Sequence, residues 1–547
     1  MSPNGFEYKR VLVVDDFDNF RTTVMRMLQE FGARSVDTAA HGNDAVSKCR
    51  STSYDLVLCD YNLGPGKSGQ QVLEQLRHES LLKHSSLFVL ISAESSKNIV
   101  MATYDYEPDA YLTKPITAKT LQQRLERLFH QSREMCKVYN AMDDGDLDAA
   151  ITRCGELLRG QSRVRPLVQK LLGRLLLRTG QFNPAEQLFR KVLQVRELDW
   201  AMVGLALAKK GQDDWVGAQQ WVEQALSLNP MCMPAYDLLA DIHAARGDRQ
   251  EQQHTLAQAV EISPLSIMRQ QELGAVAYQN HDLEQALEAF KNSIKLGEHS
   301  CYDDKDVYLQ FIRSCAELAP LQPDVAKSYA REVGKSIGEF GNRFGRDGHN
   351  DVLLRSANCA YLAATGEQLA AQQLLQELME QHQESPATLA AQLDWISACE
   401  VLGRQEWRDQ LVNGVLQQYQ GNEAALEMID RVLENPTSEK NRQRVAQINK
   451  QGIAYYEGTD FEAAIDCFNR AVREFPKHVG IELNLLQALI GALEQSGQPH
   501  LLKQAKHSCE RLGQLVDGEH PQADRLAQLV GKFQEVSQQI LRDGEQV

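Results

Sequence analysis

The middle of the chain repeats itself every 33 or 34 residues, and this period restricts the fold more than any other feature of the sequence. A small residue recurs at this spacing, and a large apolar residue follows each small one at a constant distance. Such a period indicates stacked pairs of antiparallel helices, because the small residue lets two helices approach closely and the large one fills the space between pairs. The small residues are Gly173, Ala206, Ala240 and Gly274, and the large ones are Phe189, Val222, Leu256 and Phe290.

The same pattern returns near the C-terminus, where Gly452 is the small residue and Phe468 the large one, and where Ala464 and Pro476 stand at the positions of Ala185 and Pro230 in earlier units. This pattern resembles the tetratricopeptide repeat (TPR), whose period is about 34 residues. The resemblance is strong over residues 166–298 and 445–478. Between about 300 and 440 its register is unclear, and we expect degenerate helical pairs there. The resemblance implies an all-α superhelix with a concave surface suited to a target protein or peptide.

The first 130 residues follow a different pattern, in which short strand-like runs alternate with helical segments. Apolar runs of this kind are typical of strands that are buried on both faces of a parallel sheet. The alternation therefore predicts a doubly wound α/β domain. The predicted strands are Arg10–Val14, Ser35–Ala39, Tyr54–Cys59, Leu87–Ile91 and Ala110–Leu112.

Charged and hydroxyl side chains stand where these strands end. Asp15 and Asp16 end the first strand, Asp60 the third and Ser92 the fourth, and the fifth runs into Lys114. Because ligands bind at the carboxyl ends of the strands in such sheets, these side chains should converge at one edge. Three crowded carboxylates require a cation among them, and Mg²⁺ suits carboxylate and phosphate oxygens. The amine and the hydroxyl could then hold phosphoryl oxygens, so the site predicts phosphoryl transfer to a carboxylate.

This combination of motifs resembles the CheY-like receiver domain of bacterial two-component response regulators, over about residues 8–130. The resemblance implies a five-stranded parallel sheet in the flavodoxin-like order 2-1-3-4-5. It makes Asp60 the phospho-acceptor, with Lys114 and Ser92 as the catalytic groups beside it. It also implies that Ser92 and Tyr111 form a switch pair, in which the hydroxyl turns toward the phosphoryl group and the ring moves inward.

A magnesium site is the second implication of the receiver resemblance. Its acidic pair is Asp15 and Asp16, and the Mg²⁺ ligands would be Asp16, Asp60 and the backbone carbonyl of Asn62. The phosphoryl donor would be a histidine kinase or a histidine phosphotransfer protein.

Charge and composition disfavour several other classes of protein. The formal net charge is -16, which disfavours nucleic acid as the main partner. No apolar run reaches the ~18–20 residues that a membrane span needs. The eleven cysteines show no CxxC motif and no Cys/His cluster, which favours a reduced, cytoplasmic protein. The Gly66-Lys67-Ser68 segment is no phosphate-binding P-loop, because Tyr61 stands where that motif needs a glycine.

We predict four segments: a receiver domain over residues 1–130, a TPR array over 131–300, degenerate helical repeats over 301–440 and C-terminal repeats over 441–547. The last receiver helix, which starts near Thr117, is expected to pack against or continue into the first repeat, because no Gly/Pro/Ser-rich linker follows it. The favoured function is a response regulator in which phosphorylation of Asp60 controls protein binding by the array. On this interpretation the chain is not an enzyme.

Three alternatives remain open at the level of sequence. The first is a constitutive scaffold whose receiver serves only as a docking or dimerisation surface. A DNA-binding regulator is the second, but it would need a basic helix-turn-helix module, and neither the acidic charge nor the repeat pattern supplies one. A hidden enzyme would need metal-ligand spacing among the acidic and histidine residues after residue 300. The sequence does not fix the donor kinase, the target, the sign of the regulation or the oligomeric state. For the alternative of a hidden enzyme, the available acidic and histidine residues are Asp303, Asp304, Asp306, His349 and Asp351.

Overall fold

A computed structural model describes residues 6–93, 106–160, 163–345, 347–382, 387–496, 498–516 and 518–544. The chain divides into two compact units. The first unit comprises Met1–Val276 and Glu288–Val307, and the second comprises Ala277–Leu287 and Tyr308–Val547. No described helix is both long enough and apolar enough to cross a membrane.

A five-stranded parallel sheet forms the N-terminal part of the first unit, and its order β2-β1-β3-β4-β5 confirms the predicted order. Every residue of β3 and β4 is buried, as expected for central strands covered on both faces. Strands β1 and β3 end beside each other, so their last residues lie at the same edge of the sheet. The strands are β1 (Arg10–Val14), β2 (Ser35–Ala39), β3 (Leu56–Asp60), β4 (Leu87–Ser92) and β5 (Ala110–Thr113).

Helices cover both faces of the sheet because successive residues of each strand point in opposite directions. On one face, Val11 and Val13 pack with Leu28 of α1 (Asp18–Glu30). On the other face, α2 (Gly42–Ser51) and α3 (Gly69–His78) pack against Leu12 and Val14. The two hydrophobic layers hold the strand ends in fixed positions.

One continuous helix of 26 residues, Ala118–Asp143, belongs to both the receiver and the helical array, and we call it the linking helix. Its N-cap is Thr117, whose side chain accepts a hydrogen bond from the Thr120 N–H. Leu121 and Leu125, one turn later, lie in the hydrophobic core that also contains Val11 and Val13 of the sheet. Further along the same helix, Met135 and Val138 pack with Ala150 of the next helix, Leu147–Arg159. We call these two helices the first helical pair. The expected continuation of this helix into the repeats is therefore confirmed.

The remainder of the first unit is helical, and neighbouring helices pack on each other. A Cβ atom placed on Gly173 would lie 2.4 Å from the ring of Phe189, and one on Gly274 would lie 2.6 Å from Phe290. The period of 33 or 34 residues therefore arises from the close approach of paired helices, as predicted. After the linking helix, the helices that lie wholly within this unit are Leu147–Arg159, Arg165–Arg178, Phe182–Val195, Asp199–Gly211, Trp215–Leu228, Met233–Arg246 and Arg249–Ile262.

Three helices carry residues of both units: Ile267–Gln279, Leu283–Gly297 and Lys305–Leu318. The described part of the second unit is otherwise built of helices and one 3-10 turn, Asp430–Val432. The Gly452–Phe468 contact repeats the packing of the first unit, with 2.4 Å between a Cβ on the glycine and the ring. The other helices are Pro323–Ser328, Ala330–Phe344, Gly348–Ala364, Gln368–Gln381, Leu389–Val401, Gln405–Gln418, Glu423–Ile429, Glu439–Glu457, Phe461–Glu474, Val479–Ser496, Pro499–Leu515 and Ala523–Gly544.

Candidate phosphorylation site

Three carboxylates meet at the carboxyl edge of the sheet. Asp15 and Asp16 follow β1 directly, and Asp60 is the last residue of β3. One side-chain oxygen of each lies within 4.8 Å of the others. Asp15 is fully buried and Asp60 is 5% exposed. The structure thus brings together the three acidic residues that the sequence placed at strand ends.

Lys114 supplies the positive charge of the site. Its Nζ lies 2.8 Å from Asp15 Oδ2 and 3.0 Å from Asp60 Oδ2. The same Nζ lies 4.2 Å from the centre of the Phe20 ring, which supports the ammonium from the side of α1. Burial alone would lower the pKa of Lys114, but its hydrogen bonds to the two carboxylates raise that pKa overall. The lysine is therefore held in its charged form.

The acidity of Asp60 is set by two opposing effects. Burial raises the pKa of Asp60 to about 6, because the charged carboxylate loses its hydration, and the nearby Asp15 adds repulsion. The hydrogen bond and charge of Lys114 act in the opposite direction. The lysine thereby favours the ionised form of Asp60, which is the form that can attack phosphorus.

Asp16 has a side-chain oxygen that is buried in the site. Its Oδ1 is buried and accepts no hydrogen bond from any residue that the structure describes. By contrast, Asp15 Oδ1 accepts the Phe17 N–H at 2.9 Å. A buried carboxylate oxygen without a partner is costly, and a cation would remove this cost. The set of oxygens has the chemistry that a hard divalent ion prefers, so Asp15, Asp16 and Asp60 could hold one.

Asn62 lies in the exposed loop that follows β3. Its side-chain oxygen accepts the Gly64 N–H at 3.2 Å, which turns the loop. Gly64 has a φ of +71°, and a Cβ placed on it would lie 3.5 Å from Asp16 Oδ2. The loop therefore folds back over the acidic group. The assignment of the Asn62 carbonyl as a metal ligand stays a prediction.

Ser92 and Tyr111 lie on neighbouring strands, β4 and β5. Ser92 is buried at the end of β4, and its carbonyl accepts the Lys114 N–H at 2.8 Å. Tyr111 is half-buried, pairs with Leu90 and packs against the hydrophobic layer that contains α3. The fold thus places Ser92 on the strand next to β3 and Tyr111 on the strand beyond it, and their coupling as a switch pair stays a prediction.

The sequence did not reveal how tightly α3 is held against the acceptor. A Cβ atom on Gly69 would lie 2.0 Å from the carbonyl oxygen of Asp60, so only glycine fits there. The N-cap of α3 is Ser68, which forms a capping box with Gln71. The Ser-x-x-Gln spacing was the available signal for this cap, whereas nothing local marks the close approach of Gly69.

Comparisons with known proteins agree with this geometry. The family model of the response regulator receiver domain matches residues 11–126, and a tetratricopeptide repeat model matches residues 450–478. Chemotaxis protein CheY-3 of Vibrio cholerae is 30% identical over 122 residues, which cover 22% of this chain and 92% of the relative. The chain belongs to the response regulators. Its receiver is CheY-like, and its helical array contains tetratricopeptide repeats.

Two further proteins are similar to the receiver of this response regulator. Chemotaxis protein CheY of Pseudomonas aeruginosa is 27% identical over 122 residues, covering 22% of this chain and 97% of the relative. The solved structure of CheY4 of Vibrio cholerae, crystallised at pH 4.0, is 28% identical. It covers 22% of this chain and 98% of that chain, with a TM-score of 0.21.

Proposed function

We propose that this response regulator is a phosphorylation-controlled adaptor. A histidine kinase or a histidine phosphotransfer protein would phosphorylate Asp60, and the phosphoryl group would change which protein or peptide the TPR array binds. One observation carries the proposal: an acidic group with a bound lysine lies at the edge of a sheet whose linking helix also builds the first helical pair. Both kinds of module are regulatory or protein-binding, so we do not assign the chain an activity on a separate substrate.

The chemical step follows from the positions of the side chains. An Asp60 carboxylate oxygen forms the new bond to phosphorus while the bond between phosphorus and the donor's histidine nitrogen breaks. Lys114, which lies 3.0 Å from Asp60 Oδ2, would neutralise a phosphoryl oxygen, and the Ser92 hydroxyl would donate a hydrogen bond to another. The free carboxylates of Asp15 and Asp16 would repel the incoming phosphoryl group, so their charge has to be compensated.

We propose Mg²⁺ as the compensating ion, with Asp16, Asp60 and the Asn62 carbonyl as ligands and Asp15 beside them. The Oδ1 of Asp16 supports this proposal, because it accepts no hydrogen bond from a described residue and a metal ion would satisfy it. When bound, Mg²⁺ would neutralise the carboxylates and phosphoryl oxygens of the site.

A cytoplasmic location fits the free thiols, since none of the eleven cysteines forms a disulfide.

Replacing Asp16 by alanine should weaken Mg²⁺ binding by at least ~10-fold, because even the loss of a group that orients a metal ligand costs about 10–100-fold. Isothermal titration calorimetry with the full chain measures this affinity. Asp18→Ala is the matched control, because Asp18 is exposed and its carboxylate pairs with Arg21 rather than with the acidic group. Equal affinities for Asp16→Ala and wild type would contradict the assignment of Asp16 as a ligand.

The adaptor function is tested by comparing what the full chain retains in two states. The immobilised wild-type chain is treated with Mg²⁺ and beryllofluoride, which mimics the phosphoryl group, and exposed to an extract of the cells that make it. Asp60→Asn receives the same treatment. Quantitative mass spectrometry should find proteins whose retention differs between the two. Identical sets would instead support the constitutive scaffold, whose receiver acts only as a docking or dimerisation surface.

A further inference from the structure

Within the first unit, a short segment of the helical array lies against the N-terminal end of α3. This segment, residues 296–302, comprises the end of the helix Leu283–Gly297 and most of the loop before Lys305–Leu318, and we call it the clasp segment. Gln71 of α3 donates from Nε2 to the Glu298 carbonyl at 2.9 Å. Lys67, in the loop before α3, donates to the His299 carbonyl. The loop that follows the phospho-acceptor is therefore held by backbone groups of the array.

Glu74 on α3 is the centre of this contact. It is 2% exposed, and its Oε1 accepts the Cys301 N–H at 3.1 Å and the Ser300 hydroxyl. The Cys301 Sγ also lies 3.3 Å from this oxygen. A carboxylate so deeply buried needs donors, and the array supplies these. If the clasp segment moved away, water could replace these donors and hydrate Glu74.

Two further contacts extend the interface. The ring of Tyr302 meets His78 edge-on at 5.4 Å and stacks on Tyr106 at 6.5 Å between ring centres. Glu107 pairs with Arg174 and with Lys170, whose Nζ is 3.2 Å from Oε1. The helix Arg165–Arg178 thus adds a second attachment of the array to the receiver.

The interface is also incompletely packed. It borders a partly open pocket of about 100 Å³, lined from the receiver side by Gln70 and Tyr106 and from the array side by Ile267 and Leu296. Polar contacts around a small cavity are easier to separate than a dry hydrophobic core, in which every lost contact is felt. We therefore expect that the clasp segment and α3 can separate without unfolding of either module.

The clasp is mechanically connected to the phospho-acceptor. A side chain on Gly69, at the start of α3, would collide with the Asp60 carbonyl, and the Gly69 N–H donates to the Tyr61 carbonyl at 2.8 Å. Gln71 belongs to the same first turn of α3, and Lys67 belongs to the loop before it. A phosphoryl group on Asp60 would add negative charge next to this loop and attract the Lys67 ammonium away from the His299 carbonyl.

We propose that the clasp segment is an intramolecular latch: its contact with α3 stabilises the unphosphorylated receiver, and phosphorylation of Asp60 releases it. This inference rests on the proposed function, because a latch needs a phosphorylatable receiver to control. Coupling between two sites is reciprocal. If the phosphoryl group weakens the contact between the clasp segment and α3, then opening that contact must raise the affinity of the receiver for a phosphoryl mimic by the same factor.

The array variant Tyr302→Ala tests the latch while leaving the receiver sequence unchanged. With Mg²⁺ present, the full-length variant should bind beryllofluoride at least ~5-fold more tightly than wild type, which is the lower end of typical allosteric coupling. Fluorine-19 NMR titration measures this affinity. Tyr455→Ala is the matched control, because Tyr455 is 44% exposed and lies in the second unit. It should bind beryllofluoride as wild type does.

The possible failures are distinguishable. Wild type and Tyr302→Ala binding with equal affinity would overturn the latch and leave the proposed function intact. No binding by either protein would overturn both. Binding by the variant alone would support a strong latch.

A thiol experiment on the wild-type chain guards against misfolding of the variant. Burial, with Glu74 close by, raises the pKa of Cys301 to about 12, so the thiol should react slowly while the latch is closed. Beryllofluoride should accelerate its alkylation at least ~5-fold, in line with the coupling above. Cys509, also partly buried, is the internal control and should keep its rate. An unchanged Cys301 rate in beryllofluoride-bound protein would overturn the latch.

Discussion

Replacing Asp60 by asparagine is expected to abolish phosphorylation of the chain. The amide has nearly the shape of the carboxylate, so the packing at the end of β3 is kept, but it lacks the nucleophilic oxygen. Wild-type protein incubated with acetyl phosphate and Mg²⁺ should give an acid-stable, base-labile phosphoprotein on a phosphate-affinity gel. The Asp60→Asn variant should give none.

The control for this experiment is Asp44→Asn, which makes the same change at a carboxylate of α2. Asp44 is partly exposed and pairs with Lys48 one turn along the helix. It is not part of the acidic group, so phosphorylation should proceed as in wild type. Persistent modification of Asp60→Asn would place the phospho-acceptor elsewhere, and no modification of wild type would favour the constitutive scaffold.

Replacing Arg313 by alanine should have the largest effect on stability, at about 3–5 kcal/mol, because it breaks a buried ion pair within the second unit. Arg313 donates from Nε and an Nη to the two oxygens of Asp394 at 2.9 and 2.8 Å. Asp394 is 6% exposed. Burial raises the pKa of Asp394 and the arginine opposes that rise, so removing the arginine leaves a charge that the interior does not tolerate.

Urea unfolding of the full chain, followed by circular dichroism, measures this loss in the transition that contains the second unit. The loss should shrink as the pH falls, because a protonated Asp394 no longer carries an unpaired charge. Arg355→Ala is the control: Arg355 pairs with Glu377, whose side chain is 60% exposed, and such pairs contribute at most about 1 kcal/mol. Replacing Arg313 and Asp394 together by leucine should recover most of the loss. Equal free energies of unfolding for Arg313→Ala and Arg355→Ala would contradict the expectation that the buried ion pair contributes more than the exposed one.

Local sequence patterns predicted most of the receiver. Each strand-end residue was recognisable because it followed an apolar run, and parallel strands bring their ends together by topology alone. The contact of Gly173 with Phe189 was likewise predictable, since its period recurs along the chain. These features depend on residues that are near in sequence or that repeat regularly.

The latch and the buried ion pair were not predictable in this way. In the sequence, Glu74 is an ordinary polar residue of α3, and the Ser300 and Cys301 groups that bond to its buried carboxylate lie 226 and 227 positions away. Arg313 and Asp394 are 81 positions apart, and neither stands in a motif. A single sequence carries no local signal for such pairings, because they depend on how the repeats curve.

The linking helix has a consequence for how proteins of this design can change in length. Met135 and Val138 must face the first helical pair while Leu121 faces the sheet, and one rigid helix carries all three. Each residue inserted between them would rotate the later part by about 100° around the helix axis. Insertions or deletions of about three to four, or about seven, residues nearly restore the orientation. Genetic exchange of receivers between such chains therefore has to conserve helical phase at the joint, even where it conserves no residue.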